Sequence, residues 1–177
     1  ILSVIAQQTE RIRMGPLVLG YSHREPTLLA KMTSTLDFLS SGRFDLGIGA
    51  GWYKEEQNAY GFPWIEKVGI RMDAFEEYIE IILNIFKDNK HPDYNHFPTP
   101  NTKLTPKLTQ KPYPPLLIGG GGEKRTLKLV AKYADIWNIP AVTAKEYSRK
   151  LSILKSHCEN EGTDYSRIEK TMESRIL

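Results

Sequence analysis

Two rhythms alternate along the chain. Short runs rich in Val, Leu and Ile have the length of strands, and between them apolar residues return every three or four positions, the period of a helix. Residues 13–20 form the first strand candidate, closed by Gly20. Pro26 then opens a helix at a position where proline is favourable, and Leu28, Leu29, Met32, Leu36 and Leu39 keep its period until Ser40, Ser41 and Gly42 stop it. Residues 43–49 alternate Phe44, Leu46 and Ile48 with Asp45 and Gly47, as a strand does. Residues 73–87 predict a strongly amphipathic helix, with Phe75, Tyr78, Ile79, Ile82 and Phe86 along one stripe.

The same alternation continues to the end. Residues 115–119 are a short apolar strand, and 124–133 a helix with Leu127, Val130, Ala131 and Ala134 on one face. A strand over 135–139 leads to a helix over 144–160, where Tyr147, Leu151, Leu154 and Cys158 are spaced by four, three and four. Residues 168–177 begin one more strand. Strands alternating with helices predict an α/β fold with parallel strands. Residues 89–114 break the rhythm, holding six of the eleven prolines, two histidines and no period. So long a loop is either an excursion over the ligand side of the sheet or a disordered surface insert.

Composition changes this picture little. The 177 residues carry 24 Lys and Arg against 21 Asp and Glu, with 40% hydrophobic residues, which is ordinary for a globular protein with a real core. No stretch approaches the roughly 18 consecutive apolar residues of a membrane span, and the first residues carry no basic n-region and no cleavage site, so no secretory signal is expected. A net charge of +3, evenly spread, argues against a nucleic-acid partner. The single Cys158 forms no internal disulfide, which suits a reducing cytoplasm. The chain starts without Met, inside what reads as a helix, and stops in an apolar run; we expect it to be a piece of a longer protein.

Two glycine clusters follow strands directly. The first is Gly47, Gly49 and Gly51, ending on Trp52. It is not a dinucleotide fingerprint, because Trp52 stands where the third glycine belongs. It lets a ligand approach the backbone at a strand end, or it serves only tight turning. The second is Gly119, Gly120, Gly121 and Gly122, which joins a strand to a helix that begins near Lys124, Arg125 and Thr126. Side-chain-free amides at a helix start form an anion site, with Lys124 or Arg125 placed to assist. Four consecutive glycines cost entropy on folding, which makes a purely structural loop the weaker explanation.

Other residues point less far. His23, His91, His96 and His157 have no metal-ligand spacing, so no metal is expected. Cys158 lies on an apolar helix face, and Trp64 and Trp137 read as packing residues. Arg43 and Arg71 are expected in ion pairs at element ends.

The order of motifs resembles the luciferase-like monooxygenase superfamily. The resemblance is carried by residues 9–18, by 36–52 with Leu36, Asp37, Ser41, Gly42 and Arg43 leading into the first glycine cluster, by 111–127, and by 133–138. It is closest to the branch of F420-dependent oxidoreductases. The superfamily fold is a (β/α)₈ barrel, normally of about 250 residues. By its order, the first strand here would be the third of the barrel and the last the seventh. That makes residues 1–177 one partial barrel domain with a Pro-rich insert at 89–114.

The resemblance further implies a deazaflavin or flavin at the carboxyl ends of the strands. It places a cis peptide at Leu17–Val18 behind the ring, ring-edge or tail contacts at Ala50, Gly51 and Trp52, and a phosphate cradle at Gly120, Gly121 and Gly122. Some members carry a carboxylate acid/base where Trp52 stands, so no catalytic residue is assigned. The implied function is hydride transfer between F420 and a small organic substrate. The alternatives are an FMN-dependent monooxygenase or reductase and a non-catalytic flavin-binding relative. A homodimer in the cytoplasm is expected.

Overall fold

The structure, a computed structural model, describes residues 1–174, and these divide into two compact units at Pro114 and Pro115. The first unit runs α1 (Leu2–Gln8), β1 (Leu19–Gly20), a 3-10 turn (Tyr21–His23), α2 (Pro26–Leu39), β2 (Leu46–Gly49), α3 (Lys54–Ala59) and α4 (Val68–Lys87). β1 and β2 are parallel, with Leu19 opposite Ile48 and Gly20 opposite Gly49.

Helix ends follow the local chemistry. Pro26 occupies the first turn of α2, and the helix closes with Ser41 and Gly42 at positive φ while the Gly42 amide returns to the Asp37 carbonyl at 2.9 Å. α4 begins at Val68, five residues ahead of the expected start. Its first turn is held by Arg71, which lies 4.3 Å over the Trp64 ring and donates to the Ile65 carbonyl. The short α3 buries only Gln57 and so has no apolar period to announce it.

The first strand is much shorter than residues 13–20. Gly15 and Pro16 interrupt it, since Pro16 has no amide to give to a ladder. Upstream of them Met14 keeps one parallel bridge to Phe44. Arg43 makes no ion pair among those found in the described residues. Its guanidinium donates instead to the carbonyls of Ala6, Ile12 and Ser40 and to the Thr9 hydroxyl, tying α1 to the end of α2. Arg71 likewise uses a ring face and a carbonyl rather than a carboxylate.

Residues 89–114 contain no helix or strand, yet they are packed on the helices of this unit rather than detached. Leu104 and Leu108 are buried with Ala30 of α2 and Ile81 and Ile85 of α4. The Glu77 carboxylate accepts from the amides of Asn95 and His96, and Asp37 accepts from those of Thr109 and Gln110. These anchors lie on helices, and that is why α4 buries Ile81 and Ile85 in addition to its predicted stripe. Thr105–Pro106 and Lys111–Pro112 are cis.

The second unit runs β3 (Leu116–Gly119), α5 (Thr126–Tyr133), β4 (Ile136–Ile139), α6 (Ala144–Glu161), a 3-10 turn (Tyr165–Arg167) and β5 (Glu169–Met172). β3 and β5 flank β4, both parallel to it. The last strand ends at Met172, and residues 175–177 of the expected strand lie outside the described residues. Thr143 caps α6 by accepting the Glu146 amide, and Gly162 at φ 67° ends it, with the Thr163 amide returning to the Cys158 carbonyl. Ile118, Leu127, Val130, Trp137, Leu154 and Cys158 form the core. The α/β class and the parallel strands are as the alternating rhythm predicts.

Candidate cofactor site

In the first unit the chain ahead of β1 presses on β2. A Cβ on Gly47 would overlap the Pro16 carbonyl oxygen and lie 3.4 Å from Val18 Cγ1. Gly47 is therefore required by the close approach of the chain before β1 to β2. The Leu17–Val18 peptide is cis, and both side chains remain partly exposed, Leu17 at 58%. Gly51, at φ 72°, turns the chain out of β2, where only glycine is unstrained. Trp52 follows at 85% exposure, its ring stacked on Tyr53 at 5.3 Å. Leu17 and Val18 thus lie against the middle of β2, whereas Ala50, Gly51 and Trp52 follow its end.

A polar cluster at the end of β1 was not legible in the sequence. Ser22 Oγ donates to Gln57 Oε1 at 2.6 Å, and Gln57 Nε2 lies 2.6 Å from His23 Nε2. With the amide donating, His23 Nε2 accepts and the ring proton sits on Nδ1. The ring stacks on Phe62 at 4.8 Å and also faces Glu56 at 4.0 Å. A Cβ on Gly20 would come within 3.1 Å of it, so that glycine makes room for the imidazole. Gln57 is 2% exposed, on a helix with no other buried residue.

In the second unit the glycine turn leaves β3 and opens α5. Gly120 has φ 121°, and its amide donates to the Asn138 carbonyl at 2.9 Å. Its own carbonyl accepts Trp137 Nε1–H at 2.8 Å. The Gly121 carbonyl accepts from Lys150 Nζ at 2.7 Å. A Cβ on Gly121 would lie 3.0 Å from Ile139 Cδ1, and one on Gly122 would lie 2.7 Å from Thr126 Oγ1. The positive φ of Gly120 favours glycine, and a Cβ at Gly121 or Gly122 would crowd the side chains of Ile139 and Thr126, so their being glycine has a structural reason as well.

Charge gathers around this turn. Glu123 pairs with Arg149 at 2.6 Å and with Lys150 at 3.2 Å, and these two cations, Arg149 first, hold its carboxyl below the usual range. Its carbonyl meets His157 Nε2 at 2.8 Å. Lys150 is only 7% exposed and also faces Glu146 at 3.8 Å. Trp137, expected as packing, is fully buried and stacks on Tyr147 at 5.8 Å, but it also uses its one polar atom on the turn. Among the described residues no three His, Cys, Asp or Glu side chains group as metal ligands, and no helix is long and apolar enough to cross a membrane.

Parallel strands, four of them leading through a turn into a helix, define an α/β protein built of β/α units. The chain belongs to the luciferase-like monooxygenase family, whose model matches residues 1–176. It is 30% identical over 159 residues to the phthiodiolone/phenolphthiodiolone dimycocerosates ketoreductase of Mycobacterium tuberculosis strain H37Rv, an alignment covering 87% of this chain and 40% of that protein. Among solved structures it superposes on the coenzyme F420-dependent tetrahydromethanopterin reductase of Methanopyrus kandleri with a TM-score of 0.84 at 21% identity, covering 98% of this chain and 52% of that one. A riboflavin lyase with modified FMN gives a TM-score of 0.79 at 14% identity, covering 97% of this chain and 42% of the other. These likenesses show the fold, a stretch of the (β/α)₈ barrel, and the chain spans about half or less of the proteins it matches.

Proposed function

We propose that the chain is part of an F420-dependent oxidoreductase that transfers a hydride between F420 and a small organic substrate. The observation that carries the proposal is the glycine turn at Gly120, Gly121 and Gly122: it is free of side chains at the start of α5 and is backed by the cation Lys150. Lys124 and Arg125 follow in sequence, and Arg149 pairs with Glu123 beside it. This donor set fits a phosphate, held by backbone amides with positive charge nearby. Leu17, Val18, Ala50, Gly51 and Trp52 supply apolar and aromatic contact for the ring, as the family resemblance implies.

When bound, the deazaflavin supplies a hydride at C5, and the protein supplies binding and orientation. The ketoreductase relative supports a carbonyl compound as the substrate class. FMN is the second reading, supported by the likeness to the riboflavin lyase. The expected homodimer and cytoplasmic location belong to the same proposal. The test mixes the protein anaerobically with reduced F420 and a panel of small ketones, in parallel with reduced FMN. Oxidation of F420 that depends on both protein and ketone supports the proposal. Oxidation with FMN alone moves the assignment to FMN, and oxidation with neither overturns it.

A further inference from the structure

We infer that Trp137 and Lys150 are positioning residues that aim the backbone amides of the glycine turn at the cofactor phosphate. The inference rests on the cradle reading above and names what sets the cradle.

In a trans peptide the C=O and the following N–H point in opposite directions. The Gly120–Gly121 and Gly121–Gly122 peptides are both trans, since the cis bonds lie elsewhere in the chain. Trp137 Nε1 holds the Gly120 carbonyl at 2.8 Å, which turns the Gly121 N–H away from the indole. Lys150 Nζ holds the Gly121 carbonyl at 2.7 Å, which turns the Gly122 N–H away from the ammonium. Each of the two amides is thereby directed away from a buried donor. Successive amides oriented together in a turn make an anion-binding concavity.

Each donor is itself fixed. Trp137 is fully buried in β4, with its ring stacked nearly parallel on Tyr147. Lys150 is held by Glu123 at 3.2 Å and Glu146 at 3.8 Å. Glycine alone has no such preference, because its peptides rotate with little steric cost. The two side chains therefore supply the orientation that the glycines leave open. A lysine carries a second consequence, since its charge at 7% exposure is screened far less than a surface charge.

The test compares two ligands that differ only in the group at issue: the 8-hydroxy-5-deazariboflavin core of F420 and the 5′-phosphate of that core. Fluorescence titration of each gives an affinity ratio that isolates the phosphate contribution. In the unmutated protein we expect the 5′-phosphate to bind at least tenfold tighter than the core. Lys150→Met should reduce that ratio about tenfold, the worth of one charge-assisted hydrogen bond, while affinity for the core stays unchanged. Trp137→Phe keeps an aromatic ring without the N–H and should also reduce the ratio, and Lys150→Arg should restore most of it. A merely structural role would lower both affinities together and leave the ratio intact. An intact ratio in folded Lys150→Met and Trp137→Phe proteins overturns the inference alone. A ratio near one in the unmutated protein overturns the cradle reading and the inference with it.

Discussion

Asp37 and Gln110 are joined through both carboxylate oxygens: Oδ2 accepts the Gln110 amide at 3.1 Å and Oδ1 accepts Gln110 Nε2 at 2.8 Å. The Thr109 amide adds a third bond at 2.6 Å, and Gln110 Nε2 also reaches the Phe44 carbonyl at 2.7 Å. Asp37 is completely buried at the end of α2, so one residue joins a helix end, the segment 89–114 and the approach to β2. Asp37→Ala leaves these donors without their acceptor and should lower stability by about 3 kcal/mol, since bonds to a charged group are worth roughly 1.5–3 kcal/mol each and deleted partners leave buried donors. Urea denaturation measures it. A loss below about 1 kcal/mol would mean that Asp37 is not a main anchor of the segment.

Tyr78 presents the opposite case. It is fully buried in α4, its hydroxyl has no hydrogen-bond partner among the described residues, and burial pushes its pKa up. An unmade bond of this kind costs about 1–3 kcal/mol. Tyr78→Phe keeps the ring packed between Tyr21 and Phe97 and removes the hydroxyl. We expect the variant to be about 1 kcal/mol more stable, from that desolvation cost. A less stable variant would show that the hydroxyl is bonded in solution.

Glu77 makes a pH-dependent anchor. Burial pushes its pKa up, but the contacts with His96 and Asn95 outweigh it and hold the carboxyl below its usual value. A carboxylate lowered in the folded state stabilises fully above the unfolded value of about 4.3, and that contribution is lost as pH falls through the lowered folded value. Exchange of the Asn95 and His96 amides should therefore accelerate below the ordinary carboxylate range, beyond the intrinsic pH dependence. Glu77→Gln should exchange fast already at neutral pH. Equal protection in the two proteins would contradict the anchor.

What the sequence revealed depended on how local each signal is. The bounds of α2 are legible because Pro26 and the Ser40, Ser41, Gly42 stop act within one turn. The helix α3 is not, because six residues with one buried side chain carry no period. Residues 13–20 have the composition of a strand but lose the ladder at Gly15 and Pro16. The segment 89–114 has no period because its contacts are irregular, with Leu104 and Leu108 as its buried residues.

The candidate site divides in the same way. Gly120, Gly121 and Gly122 stand out as a run, and the family resemblance placed the cis peptide at Leu17–Val18. Lys150 did not stand out, since a lysine on an amphipathic helix reads as a solvated residue. Its burial follows from the meeting of α6 with the turn before α5. The Ser22, Gln57 and His23 cluster joins residues 35 and 34 positions apart, a separation without a local signature.

The most direct test of the account is an equilibrium titration of the protein with F420, followed by fluorescence, beside the variant Gly121→Val. A valine there would press on Ile139, 3.0 Å from its Cβ, and crowd Lys150 Nζ at 3.4 Å, disturbing the turn that we propose holds the phosphate. We predict saturable binding to the unmutated protein and at least tenfold weaker binding to the variant, with the far-UV circular dichroism of the two unchanged. No saturable binding by the unmutated protein, or equal affinity in a folded Gly121→Val protein, would contradict the account.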